Sequence, residues 1–134
     1  MNRHRLAEEL AERMKEIVPA SIEVRAEGSM LWFSNIEPGD ETMGSSARLG
    51  SSGSYACQNP EVDVPEHWLI AACWHAFDDL QDFIDESTTE PWPGTGGNVP
   101  RLGVYLEGNE VLIWFGDAAA PVLRVRPVLT DDVL

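Results

Sequence analysis

An apolar stripe at helical spacing constrains this chain more than any other feature of its sequence. Asp63 occupies an N-cap position, Glu66 follows three residues later, and Pro65 fits the first turn of a helix. Pro91 disfavours helical geometry at Glu90, so we predict a long central helix that ends before it. Its buried face is predicted to consist of Leu69, Ala72, Cys73, Ala76, Leu80, Phe83 and Ile84.

The same stretch carries most of the negative charge of the chain. Residues 49–100 contain nine Asp and Glu and no Lys or Arg, within a net charge of -14. A field of this sign repels nucleic-acid phosphates and anionic membranes, and it attracts basic surfaces. We therefore expect a basic protein or peptide as partner, and neither nucleic acid nor a membrane. The alternative is a solvated face that keeps the protein in solution. The predicted partner-binding residues are Trp74, Asp78, Asp79, Asp82, Asp85, Glu86 and Trp92.

Trp92 is the predicted anchor of this surface. It stands between Pro91 and Pro93, whose rings fix their φ angles. Tryptophan is enriched among residues that dominate binding energies, so an exposed Trp92 ringed by carboxylates would hold a basic partner. The alternative is that Trp92 folds back and caps the sheet. Trp74 lies off the apolar stripe, so it either meets another element or is exposed.

A metal-binding or catalytic site is the competing hypothesis. Cys73 and His75 point to different sides of a helix, which argues against a zinc site. His75 and Asp79 are four residues apart and Asp82 lies further along, so these three could meet a divalent ion, or a carboxylate could orient His75 as a base. A solvated helix face explains the same residues, because no second cluster completes a site. No nucleotide loop or nucleophile motif is present, and we expect no cofactor.

The remaining segments predict an α+β domain. Residues 2–18 have the pattern of an amphipathic helix ended by Pro19. Alternating residues predict strands, two of which follow the two-residue turns Gly28-Ser29 and Gly108-Asn109. The predicted strands are 21–27, 30–36, 42–49, 101–107, 110–115 and 122–126.

We expect one domain over residues 1–134. It is predicted to contain an antiparallel sheet of about five strands with two helices on one face. Flexible loops are expected at 39–60 and 94–99, and a tail at 127–134. The oligomeric state stays open, and a homodimer is one of the alternatives.

A short pattern occurs twice. Residues 27–35 resemble residues 107–117, with two residues inserted before the Trp-Phe pair, and a helix precedes each predicted hairpin. This predicts two helix-hairpin units. The alternative is that glycine turns and aromatic strands recur by chance.

The first residues lead into an amphipathic pattern and not into an apolar segment, so we expect no signal peptide and a cytoplasmic protein. No apolar run is long enough to span a bilayer. Cys57 and Cys73 are then expected to be reduced thiols, with Cys73 in the core.

Residues 86–93, together with Trp114-Phe115-Gly116-Asp117 and Pro121-Val122-Leu123, resemble a family of small proteins from actinobacteria and their phages. The resemblance covers residues 64–127, and it implies no activity, because none is assigned to that family. The small size, the acidity and the helix-hairpin order are more loosely similar to type III secretion chaperones. This chain lacks a clear C-terminal helix, so the second likeness concerns architecture alone.

Overall fold

A computed structural model describes residues 2–35, 44–48, 65–88, 91–94 and 99–133, with only the backbone described for 44–48 and Pro65. The described part is an α+β structure. Its elements are α1 (Arg3–Ile17), β1 (Ile22–Glu27), β2 (Met30–Asn35), β3 (Gly44–Arg48), α2 (Pro65–Thr88), β4 (Leu102–Glu107), β5 (Glu110–Asp117), β6 (Ala120–Leu129) and α3 (Thr130–Val133).

The strands form two antiparallel sheets, with the orders β1-β2-β3 and β4-β5-β6. The predicted α+β class is confirmed, but the prediction of one five-stranded sheet is wrong. Alternation and a two-residue turn determine which neighbouring strands pair. They carry no information on whether strands separated by a long helix join the same sheet.

Each of the two long helices is followed by a three-stranded meander. The first hairpin pairs Glu27 with Met30, and the second pairs Glu107 with Glu110. Gly28 and Gly108 stand first in the two turns with φ of 59° and 62°, a region that the favoured hairpin turns require and that glycine enters without strain. The predicted order of helix and hairpin therefore occurs twice, each time with a third strand added.

The two-residue insertion between the similar segments leaves the direction of the side chains unchanged. Phe33 and Phe115 are both buried on the core side of their sheets. The preceding residues, Trp32 and Trp114, lie on the side away from the core. Side chains alternate along a strand with a period of two, so an insertion of two residues moves the pair along the strand without reversing it.

One core joins the two sheets. Helix α1 contacts β1, β2 and β6, and α2 contacts β2, β3 and β4. Phe83 of α2 packs against Phe33, with ring centroids 6.0 Å apart, and Phe77 packs against Phe115 at 6.4 Å. Cys73 is fully buried, as predicted, and burial raises the pKa of its thiol to about 12.

The prediction of a tail at 127–134 is wrong for the residues that are described. Strand β6 continues through Pro127 to Leu129, and the helical turn α3 follows it. Val128 and Val133 are buried, and the Val133 carbonyl accepts a 2.9 Å hydrogen bond from the Asn2 amide. Proline is tolerated here because β6 is an edge strand, where a missing N–H removes no ladder bond on the open side.

Other predictions are confirmed or lie outside the described residues. The helix predicted over residues 2–18 is present as α1, and the third strand is present as β3. Helix α1 begins after Asn2, whose side chain accepts a 2.9 Å hydrogen bond from the Arg5 amide. The proposed N-cap Asp63, Cys57 and most of the predicted loops at 39–60 and 94–99 lie outside those residues. Among the described helices, none combines the length and apolar character needed to cross a bilayer.

Candidate functional site

The solvent-facing side of α2 brings the predicted acidic residues together. Asp78, Asp82 and Asp85 follow one another at steps of four and three, which places them along one face of the helix. Asp79 and Glu86 are seven residues apart and lie next to that row. Asp79, Asp82 and Glu86 are exposed, and the other two are half-buried. These five carboxylates are called the acidic face below.

No Lys or Arg side chain among the described residues forms an ion pair with the acidic face. Helix α2 contains no Lys or Arg, and the ion pairs formed by Arg and Lys side chains elsewhere in the described structure do not reach these carboxylates. Like charges three or four residues apart on a helix destabilise it modestly. The face therefore carries a charge that the described fold does not neutralise.

The pKa values of three of these carboxyl groups are raised, first by partial burial and then by the charges of their neighbours. Partial burial raises the pKa of Asp78 above its usual 3.8, and the negative charge of Asp82 raises it further. Desolvation followed by the charge of Asp78 raises the pKa of Asp79, although His75 acts in the opposite direction. Desolvation also raises the pKa of Asp85, against a hydrogen bond from the Trp92 amide. Asp82 contributes to all three shifts.

Trp92 packs against the fold and is not an exposed anchor. Its ring centroid lies 5.2 Å from that of Phe115, and the residue is half-buried against the core. The Trp92 amide donates to Asp85 Oδ1 at 2.7 Å, and its carbonyl accepts from Gln81 Nε2 at 3.1 Å. The structure thus has the alternative arrangement, in which Trp92 folds back, and the acidic face loses its predicted aromatic centre.

Trp74 is the aromatic residue that α2 presents to solvent. It is 39% exposed, and its ring meets that of His75 edge-on at 5.3 Å. Trp68, by contrast, is half-buried under the guanidinium of Arg3, which lies 5.7 Å from the ring centroid. Of the two tryptophans predicted to bind a partner, Trp74 is therefore the exposed one.

The structure does not assemble the alternative metal site. Within the described part of the chain, no group of three or more His, Cys, Asp or Glu side chains is placed to hold a metal ion. His75 and Asp79 lie one turn apart on α2, and Asp82 lies about one turn further along the axis.

A groove that sequence reasoning missed lies on the outer face of the second sheet. It has a volume of about 510 Å³, and its walls include Tyr105, Leu112, Trp114, Arg124 and Arg126. Tyr105 pairs with Leu112 across β4 and β5, so the two side chains share a face. The sequence signal was the alternation of β5, which places two large apolar residues on the side away from the core.

The Trp114 ring forms the floor of the groove, and Gly103 leaves the space in which the ring lies. Gly103 pairs with Trp114, and a Cβ atom at position 103 would lie 2.4 Å from the indole ring. The ring therefore lies directly over the glycine, a close approach that any side chain would prevent. The glycine inside β4 was the second sequence signal.

Comparisons with known proteins identified no relative of this chain. No protein-family model, curated protein or solved structure matches the chain.

Proposed function

We propose that this protein is a non-enzymatic interaction module that binds a basic protein or peptide through the acidic face of α2. The observation that carries the proposal is the concentration of five carboxylates on one side of a helix without Lys or Arg. Such a surface raises the rate at which a cationic partner arrives and selects against anionic ones.

The cost of this arrangement supports a role outside folding. The pKa values of Asp78, Asp79 and Asp85 are raised, first by partial burial and in addition by repulsion from neighbouring carboxylates, so the ionised forms are disfavoured in the folded protein. A basic partner would supply the missing positive charge and relieve this repulsion. A purely solubilising surface does not need its charges placed at repelling positions.

The aromatic contact in this proposal is Trp74. Its exposed indole stands on α2 beside the acidic face, where an amphipathic ring can contact both the stem and the charged head of a Lys or Arg side chain. An inhibitor of a basic enzyme and a chaperone-like adaptor are the two forms of the function that this surface suits.

The test uses a fluorescent arginine-rich peptide and measures its binding by fluorescence polarisation over a range of salt concentrations. The variant D78N/D79N/D82N removes three charges from the acidic face and leaves Asp85, which bonds to the Trp92 amide. We expect the variant to bind at least about tenfold more weakly, and binding by the wild type to fall steeply with salt.

The matched control is E23Q/E107Q/E110Q, which removes the same number of charges from exposed positions on the strands. It should bind like the wild type. Equal losses in both triple variants would mean that the peptide senses only net charge, and the proposed site would be wrong. Trp74→Ala should weaken binding while preserving its dependence on salt.

A further inference from the structure

The outer face of the second sheet has the composition of a binding site. The groove on this face is lined by aromatic and aliphatic side chains, with the guanidinium groups of Arg124 and Arg126 among them. Its volume of about 510 Å³ falls within the range of sites that hold a ligand or a few side chains of a peptide. Tyr105 is 59% exposed at its wall.

The charge of the groove is opposite to that of the protein. Its described lining contains two arginines and no Asp or Glu, although acidic residues outnumber basic ones by 23 to 9 in the chain. Arg126 is paired with Glu16 at 2.8 Å, whereas Arg124 has no carboxylate partner among the described residues. Arg124 pairs across the strands with Trp114, so a guanidinium that no described carboxylate neutralises lies beside the aromatic floor.

The acidic face does not cancel this cation. Helix α2 packs on the inner side of the second sheet, where Phe77 contacts Phe115, and Trp114 points away from that side. Arg124 and most of the acidic face are exposed to solvent, and salt at physiological ionic strength screens exposed charges that lie more than about 8 Å apart. The two surfaces therefore present opposite charges in opposite directions.

We propose that this groove is a second binding site, and that it takes an extended protein segment in which large apolar side chains stand next to Asp or Glu. The apolar side chains pack on Trp114, Leu112 and Tyr105, and a carboxylate pairs with Arg124, whose planar guanidinium suits a two-pronged contact. This inference does not depend on the proposed function of α2. Together the two sites describe an adaptor that holds a basic partner on one side and an acidic-apolar segment on the other.

The test measures the binding of two fluorescent peptides by polarisation at physiological salt. In the first, Phe and Leu alternate with Asp and Glu; in the second, Asn and Gln replace the acidic residues. We expect the first peptide to bind at least about tenfold more tightly. A labelled oligouridylate serves as the nucleic-acid probe, because exposed aromatics and arginine on a sheet also suit stacked bases.

Two variants separate the charge from the floor. Arg124→Glu reverses an exposed charge and should weaken binding of the acidic peptide at least about tenfold, whereas the matched control Arg101→Glu, outside the groove, should change it less than about twofold. Gly103→Ala places a methyl group where the Trp114 ring lies. It should therefore displace the ring and weaken the binding of both peptides. Circular dichroism establishes that each variant is folded.

The mapping experiment follows backbone amide shifts during titration with the acidic peptide. Shifts along β4, β5 and β6 support the proposal, and shifts concentrated on α2 overturn it. Tighter binding of the oligouridylate, or no binding of either peptide up to about 1 mM, also overturns it. Sedimentation completes the test, because a dimer that Arg124→Glu dissociates would show that a second copy occupies the groove.

Discussion

Helices α1 and α2 both carry several acidic residues, but only α1 also carries the basic residues that can pair with them. Helix α1 has four glutamates and four Arg or Lys residues, and three of the glutamates form ion pairs. Helix α2 has six acidic residues and no Arg or Lys. The charges of α1 are thus largely compensated by its own sequence, and those of α2 are not.

Arg13 shows what the compensated charges do. Its guanidinium is buried, pairs with Glu9 Oε2 at 2.6 Å, and donates to the carbonyls of Arg126 and Pro127. Those carbonyls belong to β6, so Arg13 ties the first helix to the second sheet. The charges of α1 hold the two halves of the molecule together. In the described structure, the acidic face of α2 contacts the rest of the fold mainly through the hydrogen bond between Asp85 and the Trp92 amide.

The largest effect should come from Arg13→Met. This change leaves two β6 carbonyls without their donor and removes one of the two arginines that pair with the buried Glu9 carboxylate. We therefore expect a loss of about 3–5 kcal/mol in the free energy of unfolding. Urea denaturation measures it. A loss below about 1 kcal/mol would mean that the charges of α1, like those of α2, contribute little to stability. The contrast between the two helices would then be wrong.

An intermediate effect is expected from Gln81→Ala on α2. Gln81 is buried, and its amide donates to the carbonyls of Trp92 at 3.1 Å and Pro100 at 2.8 Å. Removing it leaves both carbonyls unpaired, at a cost of about 1–3 kcal/mol. Urea denaturation would show the loss, and the fluorescence of Trp92 would report its displacement. No change in either would mean that a neutral polar residue does not anchor α2 to this loop.

A smaller effect of the opposite sign is expected from Asp82→Asn. The charge of Asp82 raises the pKa of Asp78, Asp79 and Asp85, so removing it should stabilise the protein by about 0.2–0.5 kcal/mol at neutral pH and low salt. The matched change Glu23→Gln, at an exposed strand position, should be nearly neutral. Destabilisation by Asp82→Asn would show that the acidic face is part of the fold.

The smallest expected effect is the pH dependence of the stabilisation by Asp82→Asn. Because the folded-state pKa of Asp78, Asp79 and Asp85 lies above the usual 3.8, the folded protein binds more protons than the unfolded chain just above that pH. The contribution of these groups to stability therefore falls as pH rises through this window. The advantage of Asp82→Asn should shrink as pH is lowered towards 3.8. An advantage that grows in acid would contradict the assigned repulsion.

Local patterns predicted the elements better than their assembly. The stripe of α2 and the two glycine turns depend on residues that are close in sequence, so the helix and the hairpins follow from spacing alone. The split into two sheets and the extension of β6 through Pro127 depend on contacts between distant segments. No periodicity in the chain encodes these contacts.

The candidate site divides in the same way. Helical spacing placed the acidic residues on one face, because their positions on α2 follow from their numbers. It could not place Trp92, whose ring lies against Phe115 of a different element. The groove was missed because its walls come from three strands, and its floor exists only where Trp114 covers Gly103.

The stacking of Trp114 over Gly103 has a consequence for how this sequence can diverge. The indole fills the volume that a side chain at position 103 would need, so a change at one position alters what the other can hold. A sequence that acquires Ala or Val at 103 must displace the ring at 114 or lose it, and one that keeps the ring in this place must keep the glycine. Covariation between these two columns in an alignment of relatives would therefore trace where the groove arose and where it was lost.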